Sequence, residues 1–240
     1  MVRGALLMLE IDNLSAYYGN SRALQSVTLE VSDAGFLSVL GRNGVGKTAL
    51  LRAIVGLMDR TEGSIRLNGE EIASTPTHDR VRHGIGYVPQ GRGILPQFTV
   101  RENLKLGTFA RRDPGHAGVL EDKVFDLFPV LKELLNRRGG NLSGGQQQQL
   151  AIARAMLTDP KIVLLDEPTE GIQPNIVEQI EDVIMRLNSQ HGIMVILVEQ
   201  DVNFARRASR SFVIIEKGHV AASGPIDTLT DDLVHRHMAV

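Results

Sequence analysis

A glycine-punctuated run, Gly41-Arg42-Asn43-Gly44-Val45-Gly46-Lys47-Thr48-Ala49, follows a predominantly apolar stretch, Phe36–Leu40, and opens a helical pattern. A short stretch of that kind suits a strand covered on both faces, so the run sits where a buried parallel strand ends and a helix begins. Glycines let successive N–H groups converge on one anion, and the helix behind them presents its positive end there. The spacing G-x-x-x-x-G-K-[ST] then directs Lys47 to the β- and γ-phosphates of a nucleoside triphosphate and the Thr48 hydroxyl to Mg2+.

Composition narrows what surrounds such a cradle. The 240 residues are enough for one full core, with 26 Lys and Arg against 28 Asp and Glu and a formal charge of −2. That balance offers no basic footprint for nucleic acid. Apolar runs such as 193–198 fall far short of the ~20 residues a membrane span needs, so a membrane role must come through a partner. The first ten residues carry one Arg and too short an apolar stretch for a signal peptide. Residues 1–7 read as an extension ahead of a single domain spanning 8–240. With no cysteine, disulfides and thiolate metal sites are excluded.

Alternating apolar residues predict strands at 8–14 and 27–31, and Asn68-Gly69 predicts a hairpin turn. Residues 85–88 read as a short buried strand stopped by Pro89. Helical character dominates from about 92 to 158. Thr99 and Glu102 have capping-box spacing ahead of Val100–Thr108, a loop falls at Asp113-Pro114-Gly115, and a helix over 120–128 is ended by Pro129. Ser143 and Gln146 repeat the capping-box spacing before a helix running to Thr158. Strands at 162–165 and 193–198 then alternate with helices at 175–187 and 201–208, followed by a strand pair at 212–215 and 220–222. Thr228 to Asp231 caps a terminal helix. Alternation of this kind predicts a mostly parallel sheet with ligand loops at its carboxyl ends. Arg206, Arg207 and Arg210 read as an exposed helix face, and His235-Arg236-His237 as a solvated helix tip.

Two further segments carry chemistry. The buried strand ending in Asp166-Glu167 supplies a carboxylate for Mg2+ at Asp166 and, one residue on, a general base at Glu167. In Leu142-Ser143-Gly144-Gly145-Gln146, a hydroxyl, two glycine amides and a helix N-terminus form a second anion site. A cap alone needs no Gly-Gly pair, which costs about 1 kcal/mol per residue in exposed backbone.

This last segment resembles the signature of the ATP-binding-cassette ATPases, and the resemblance runs along essentially the whole chain in the family's order. It implies an α/β fold of the P-loop NTPase type. The expected parts are a mostly parallel core sheet, an antiparallel β subdomain and a helical subdomain bearing the signature. It implies that Ser143, Gly144, Gly145 and Gln146 act in trans on the ATP of a second cassette. Tyr87-Val88-Pro89-Gln90 looks like the family's Q-loop, which implies that Gln90 touches Mg2+ and the attacking water. Tyr18 matches the aromatic that stacks on adenine, with Tyr17 as competitor. Transmembrane permease subunits, a second ATPase subunit and a place on the cytoplasmic face of the inner membrane follow from the same likeness.

Leu95 to Leu104, the run Glu170-Gly171-Ile172-Gln173-Pro174 and Val198-Glu199-Gln200 look like the importer ATPases for urea, short amides and branched-chain amino acids, the urea type favoured. An exporter cassette for lipid or drug shares every ATP residue, and a soluble cassette acting on nucleic acid or ribosomes is a remoter alternative. Three positions depart from the family pattern. Gln200 stands for the switch histidine and can donate a hydrogen bond but carry no proton. Gln173 stands for the D-loop aspartate, and Ala49 lacks the hydroxyl that would meet the α-phosphate, worth about 1 kcal/mol.

Overall fold

The computed structural model describes residues 8–32, 35–110 and 117–238. Its centre is a six-stranded sheet with the order β10 (His219–Pro225), β9 (Ser211–Glu216), β3 (Phe36–Leu40), β8 (Met194–Val198), β7 (Ile162–Asp166), β6 (Ile85–Val88). All neighbours run parallel except β9 and β10. Every residue of β3, β7 and β8 is buried, as their apolar sequences require. Ser38 is the polar exception in β3, and its hydroxyl is satisfied by Ser209.

A second, antiparallel sheet has the order β2 (Ser21–Val31), β1 (Leu9–Tyr18), β4 (Arg60–Leu67), β5 (Glu70–Glu71). Its β4–β5 hairpin turns on Asn68 and Gly69, whose φ of 56° and 78° are those of the turn expected from Asn-Gly. Helix α1 (Lys47–Val55) joins the same hydrophobic cluster as residues of both sheets; its Leu50, Leu51 and Ile54 are fully buried. Burial of each such side chain contributes about 1.5–3 kcal/mol.

The helices α3 (Val100–Thr108), α4 (Ala117–Leu127), α5 (Pro129–Glu133) and α6 (Gly144–Met156) cover the opposite face with α7 (Pro174–Ser189) and α8 (Val202–Ala208). The Thr99 cap is present: its hydroxyl accepts from the Glu102 amide at 3.2 Å while Glu102 accepts from the Thr99 amide at 2.7 Å. Asp113-Pro114-Gly115 and residues 1–7 lie outside the described residues.

Three local features differ from expectation. The helix expected over 120–128 is Ala117–Leu127, and Pro129 does not end it; the chain breaks at Phe128 and Pro129 opens α5 at its first helical position, where no N–H is needed. A short helix, α2 (Thr77–Arg82), was not foreseen. Its Arg80 is buried and its guanidinium donates to the carbonyls of Ala53, Ile54, Ala73 and Thr75, satisfying the end of α1. The terminal helix α9 (Asp231–Met238) is capped by Thr230, whose hydroxyl accepts from the Leu233 amide; Thr228 instead donates to Pro225. Of the late basic residues, Arg206 and Arg207 are exposed on α8 as expected, Arg210 is exposed just past its end, and at the terminal tip His235 and Arg236 are exposed while His237 is half-buried. Arg206 pairs with Asp231 at 2.6 Å, Arg207 with Glu181, and His237 with Glu216 at 2.9 Å.

Candidate active site

Four parallel strands end at one place. β3 runs into the glycine loop, β7 into Asp166-Glu167, β8 into Glu199-Gln200 and β6 into Pro89-Gln90. The glycines are sterically required. Gly41 has a φ of 144°, and a Cβ there would lie 2.4 Å from the Ile215 carbonyl; Gly46, with a φ of 114°, would set one 2.8 Å from the Ala23 carbonyl. Gly46 is also the N-cap of α1 and provides no side-chain cap, so the first amides of that helix are left for a ligand.

Residues 43–49, Tyr18, Gln90 and Glu167 line a single cavity of about 570 Å³. Gly41, Arg42 and Gln200 border a neighbouring cavity beside α9. Lys47 is buried at 4% exposure; its ammonium donates to the Gly41 carbonyl at 2.8 Å and the Arg42 carbonyl at 3.0 Å, and lies 3.3 Å from Glu167. Tyr18 is well exposed and on the cavity, with the Arg52 guanidinium 5.3 Å from its ring. Tyr17 is elsewhere: Arg60 sits 3.9 Å from its ring, and its hydroxyl donates to Glu62.

Behind the loop, the Thr48 hydroxyl donates to Asp166 at 3.1 Å and the Tyr87 hydroxyl donates to its other oxygen at 3.4 Å. Burial pushes the Asp166 carboxyl above the usual carboxylate range, opposed by the Thr48 bond. Burial, then the charge of Asp166, raises the Tyr87 phenol. Glu167 adopts a φ of 46°, a left-handed conformation costly for a residue with a side chain, while its amide continues the sheet by donating to Val198 at 3.0 Å. That kink turns the carboxylate toward the cavity, where it accepts from Gln90 at 3.2 Å and from Gln200 at 3.0 Å as well as facing Lys47.

Ser143, Gly144, Gly145 and Gln146 do not line this cavity. They begin α6, where the capping box closes on itself: the Ser143 hydroxyl accepts from the Gln146 amide at 3.3 Å and Gln146 accepts from the Ser143 amide at 3.0 Å. Gly145 has a packing reason the sequence did not reveal. It is buried, and a Cβ there would meet the Ile176 side chain at 2.4 Å, so α6 and α7 approach only over a bare backbone. Gly145 therefore serves the helix contact, whereas a Cβ on Gly144 would face the Arg92 guanidinium at 3.1 Å.

Other contributors were missed. The Lys217-Gly218 turn between β9 and β10 lines the cavity and donates from Gly218 to the Val45 carbonyl at 2.8 Å. Lys217 and Arg22 add positive charge beside the loop. Only the Lys-Gly turn signal was visible locally; its contact with residue 45 is long-range. Glu199, buried at 4%, accepts from the Thr169 hydroxyl at 2.6 Å and from the Gln200 amide at 3.0 Å, which fixes the backbone bearing Gln200. Burial raises its carboxyl too.

Comparison with known proteins agrees with this geometry. Residues 24–170 match the family described as ABC transporter. The chain is 41% identical over 213 residues to the high-affinity branched-chain amino acid transport ATP-binding protein BraG of Pseudomonas aeruginosa, covering 89% of this chain and 91% of that one. It is 34% identical to the lipopolysaccharide export system ATP-binding protein LptB of Escherichia coli, over 93% of each. The dimeric ATP-binding cassette MJ0796, in a post-hydrolysis state bound to ADP and Pi, superposes with a TM-score of 0.80 at 27% identity, covering 91% of this chain and 98% of that one. The chain belongs to the ABC transporter family and is one of its ATP-binding, ATP-hydrolysing cassettes.

Proposed function

We propose that this cassette energises an importer by hydrolysing ATP at a site completed by a second cassette. The observation that carries the reading is the convergence of Lys47, Thr48, Gln90 and Glu167 on one cavity, with Asp166 directly behind Thr48. Loop amides 43–48 and Lys47 hold the β- and γ-phosphates, and Tyr18 stacks on the base. Thr48 and Asp166 present two hard oxygen donors 3.1 Å apart, a set that fits Mg2+ with Gln90 as a further oxygen. Bound there, Mg2+ would neutralise charge on the β- and γ-phosphates. Glu167 takes the proton of the attacking water as oxygen bonds to the γ-phosphorus and the bond to ADP breaks. Gln90 and Gln200, both hydrogen-bonded to Glu167, orient it. In the loop, Ala49 leaves the α-phosphate one hydrogen bond short.

The missing wall is the partner's Ser143-to-Gln146 segment, a reading supported by its absence from its own cavity and by the dimeric relative. The partner is a second ATPase subunit, identical or different. Among the described residues no helix is long and apolar enough to cross a membrane. We therefore place the chain peripherally, on the cytoplasmic face of the inner membrane, docked to permease subunits. Exposed Leu57 lines a groove with Val81, Tyr87, Leu106 and Arg154, a surface suited to a permease helix.

The transported solute belongs to the class of branched-chain amino acids, short amides or urea. The greater identity to BraG than to LptB favours import of a branched-chain amino acid, with lipid export as the second reading. Reconstitution with the permease subunits, measuring which solute stimulates ATPase activity, decides between them; stimulation by lipid alone would reverse the assignment. Glu167→Gln tests the chemistry. The expected outcome is a turnover loss of about a hundredfold or more with ATP binding retained and a stable dimer in ATP; ordinary turnover would remove Glu167 from the role of base.

A further inference from the structure

The Gln90 amide nitrogen donates to two carboxylates, Glu167 at 3.2 Å and Glu170 at 2.8 Å. Both acceptors are oxygens without a proton to give, so the nitrogen end must face them and the amide oxygen is the end left to the cavity that Gln90 lines. Two bonds hold the amide, but they are not equivalent. Glu167 is shared with Lys47 and Gln200 and must turn to water during hydrolysis. Glu170 does not line the cavity, and among the described residues Gln90 is the one side chain that donates to it.

Glu170 is also held in place. Its amide donates to the Glu167 carbonyl at 3.2 Å, closing a tight turn, and the preceding Thr169 is anchored on buried Glu199 at 2.6 Å. The next residue, Gly171, has a φ of 66°, a backbone that carries the chain away toward α7. The carboxylate beside Gln90 is thus set by the same turn that sets Glu167.

We propose that Glu170 is a positioning residue for hydrolysis: it clamps the Gln90 amide by its nitrogen, so that the oxygen stays presented to the cavity when Glu167 lets go. This inference rests on the reading of Glu167 and Gln90 given above. Glu170 itself lies outside the lining of the cavity.

The test is a double-mutant cycle on the full chain, reading kcat and the KM for ATP with Mg2+ present. Glu170→Ala should lower kcat about five- to tenfold with KM within about twofold, because the lost contact matters in the transition state and not in ground-state binding. Glu170→Gln keeps an amide oxygen that accepts from Gln90 and should recover kcat to within about twofold of the parent. In a Gln90→Ala background, Glu170→Ala should cost nothing further. Equal losses with and without Gln90, a kcat unchanged in Glu170→Ala, or no recovery in Glu170→Gln would each overturn the proposal. Glu167→Gln in the same assay separates the two levels: if it retains turnover, the parent reading fails; if it is inactive while Glu170→Ala matches the parent, only the clamp fails.

Discussion

Two helix N-termini in this molecule are built from glycine and hydroxyl residues, and they differ in what closes them. At the start of α1, Gly46 offers no side chain, and the loop amides together with Lys47 open onto the 570 Å³ cavity. At the start of α6, Ser143 and Gln146 bond each other's backbone, and Gly145 is buried against Ile176. The first terminus is complete only with a ligand; the second is complete as a helix and keeps the Gly144 and Gly145 amides outside its box. The difference suits the distinct work proposed for the two parts: α1 binding the phosphates of its own nucleotide, and α6 presenting a rigid, pre-capped face to a neighbour's.

That contrast can be sharpened or broken. The largest effect belongs to the open terminus. Lys47→Ala should weaken ATP binding about a hundredfold, the scale of charge-assisted hydrogen bonds, while Ser143→Ala leaves the isolated subunit's affinity within about twofold; equilibrium titration with ATP reads both. Equal losses would erase the distinction. Next is Gly145→Ala, whose Cβ would press on Ile176 at 2.4 Å. Overpacking of that kind should cost about 1–3 kcal/mol in urea unfolding, and Ile176→Ala should relieve it; full stability in the single variant would remove the packing role.

A smaller loss attends Ser143→Ala, about 1 kcal/mol of stability from its cap, read from the same unfolding curves. A variant as stable as the parent would mean the box contributes nothing to α6. The smallest effect concerns Asp166, whose carboxyl burial holds above its ordinary value in the folded chain. The folded chain therefore keeps a proton the unfolded chain has released, and stability falls as pH rises from the unfolded value through the folded one. Asp166→Asn removes that fall. It should melt a few degrees higher than the parent at neutral pH, the gap narrowing as pH drops toward about 4, where the unfolded carboxyl also protonates. A gap that does not change with pH would contradict the cause.

The cradle, the Asp166-Glu167 strand end and both capping boxes were legible because each is encoded within a few consecutive residues. What escaped is long-range. Arg80 gathers carbonyls from residues 53 to 75, so nothing in the local pattern of α2 marks it. The Lys217-Gly218 turn meets the loop from a distant strand pair, and Gly145 is small because of Ile176, not because of its own helix. Pro129 shows a local ambiguity instead: proline both stops one helix and starts the next, and only packing selects. Glu170 lay in plain view beside Glu167, but its bond to Gln90 spans 80 positions.

The central claim, that each nucleotide site takes its last wall from a neighbouring chain, is most directly tested by mixing two inactive variants. Ser143→Ala keeps an intact pocket and loses the face it lends; Glu167→Gln loses the base and keeps the face. For a chain that pairs with itself, the two combined in equal amounts before ATP is added should regain about a quarter of the parent turnover, since random pairing leaves one whole composite site in half of the dimers. A mixture no more active than the sum of its parts, alongside a Ser143→Ala chain hydrolysing at full rate, would contradict the account.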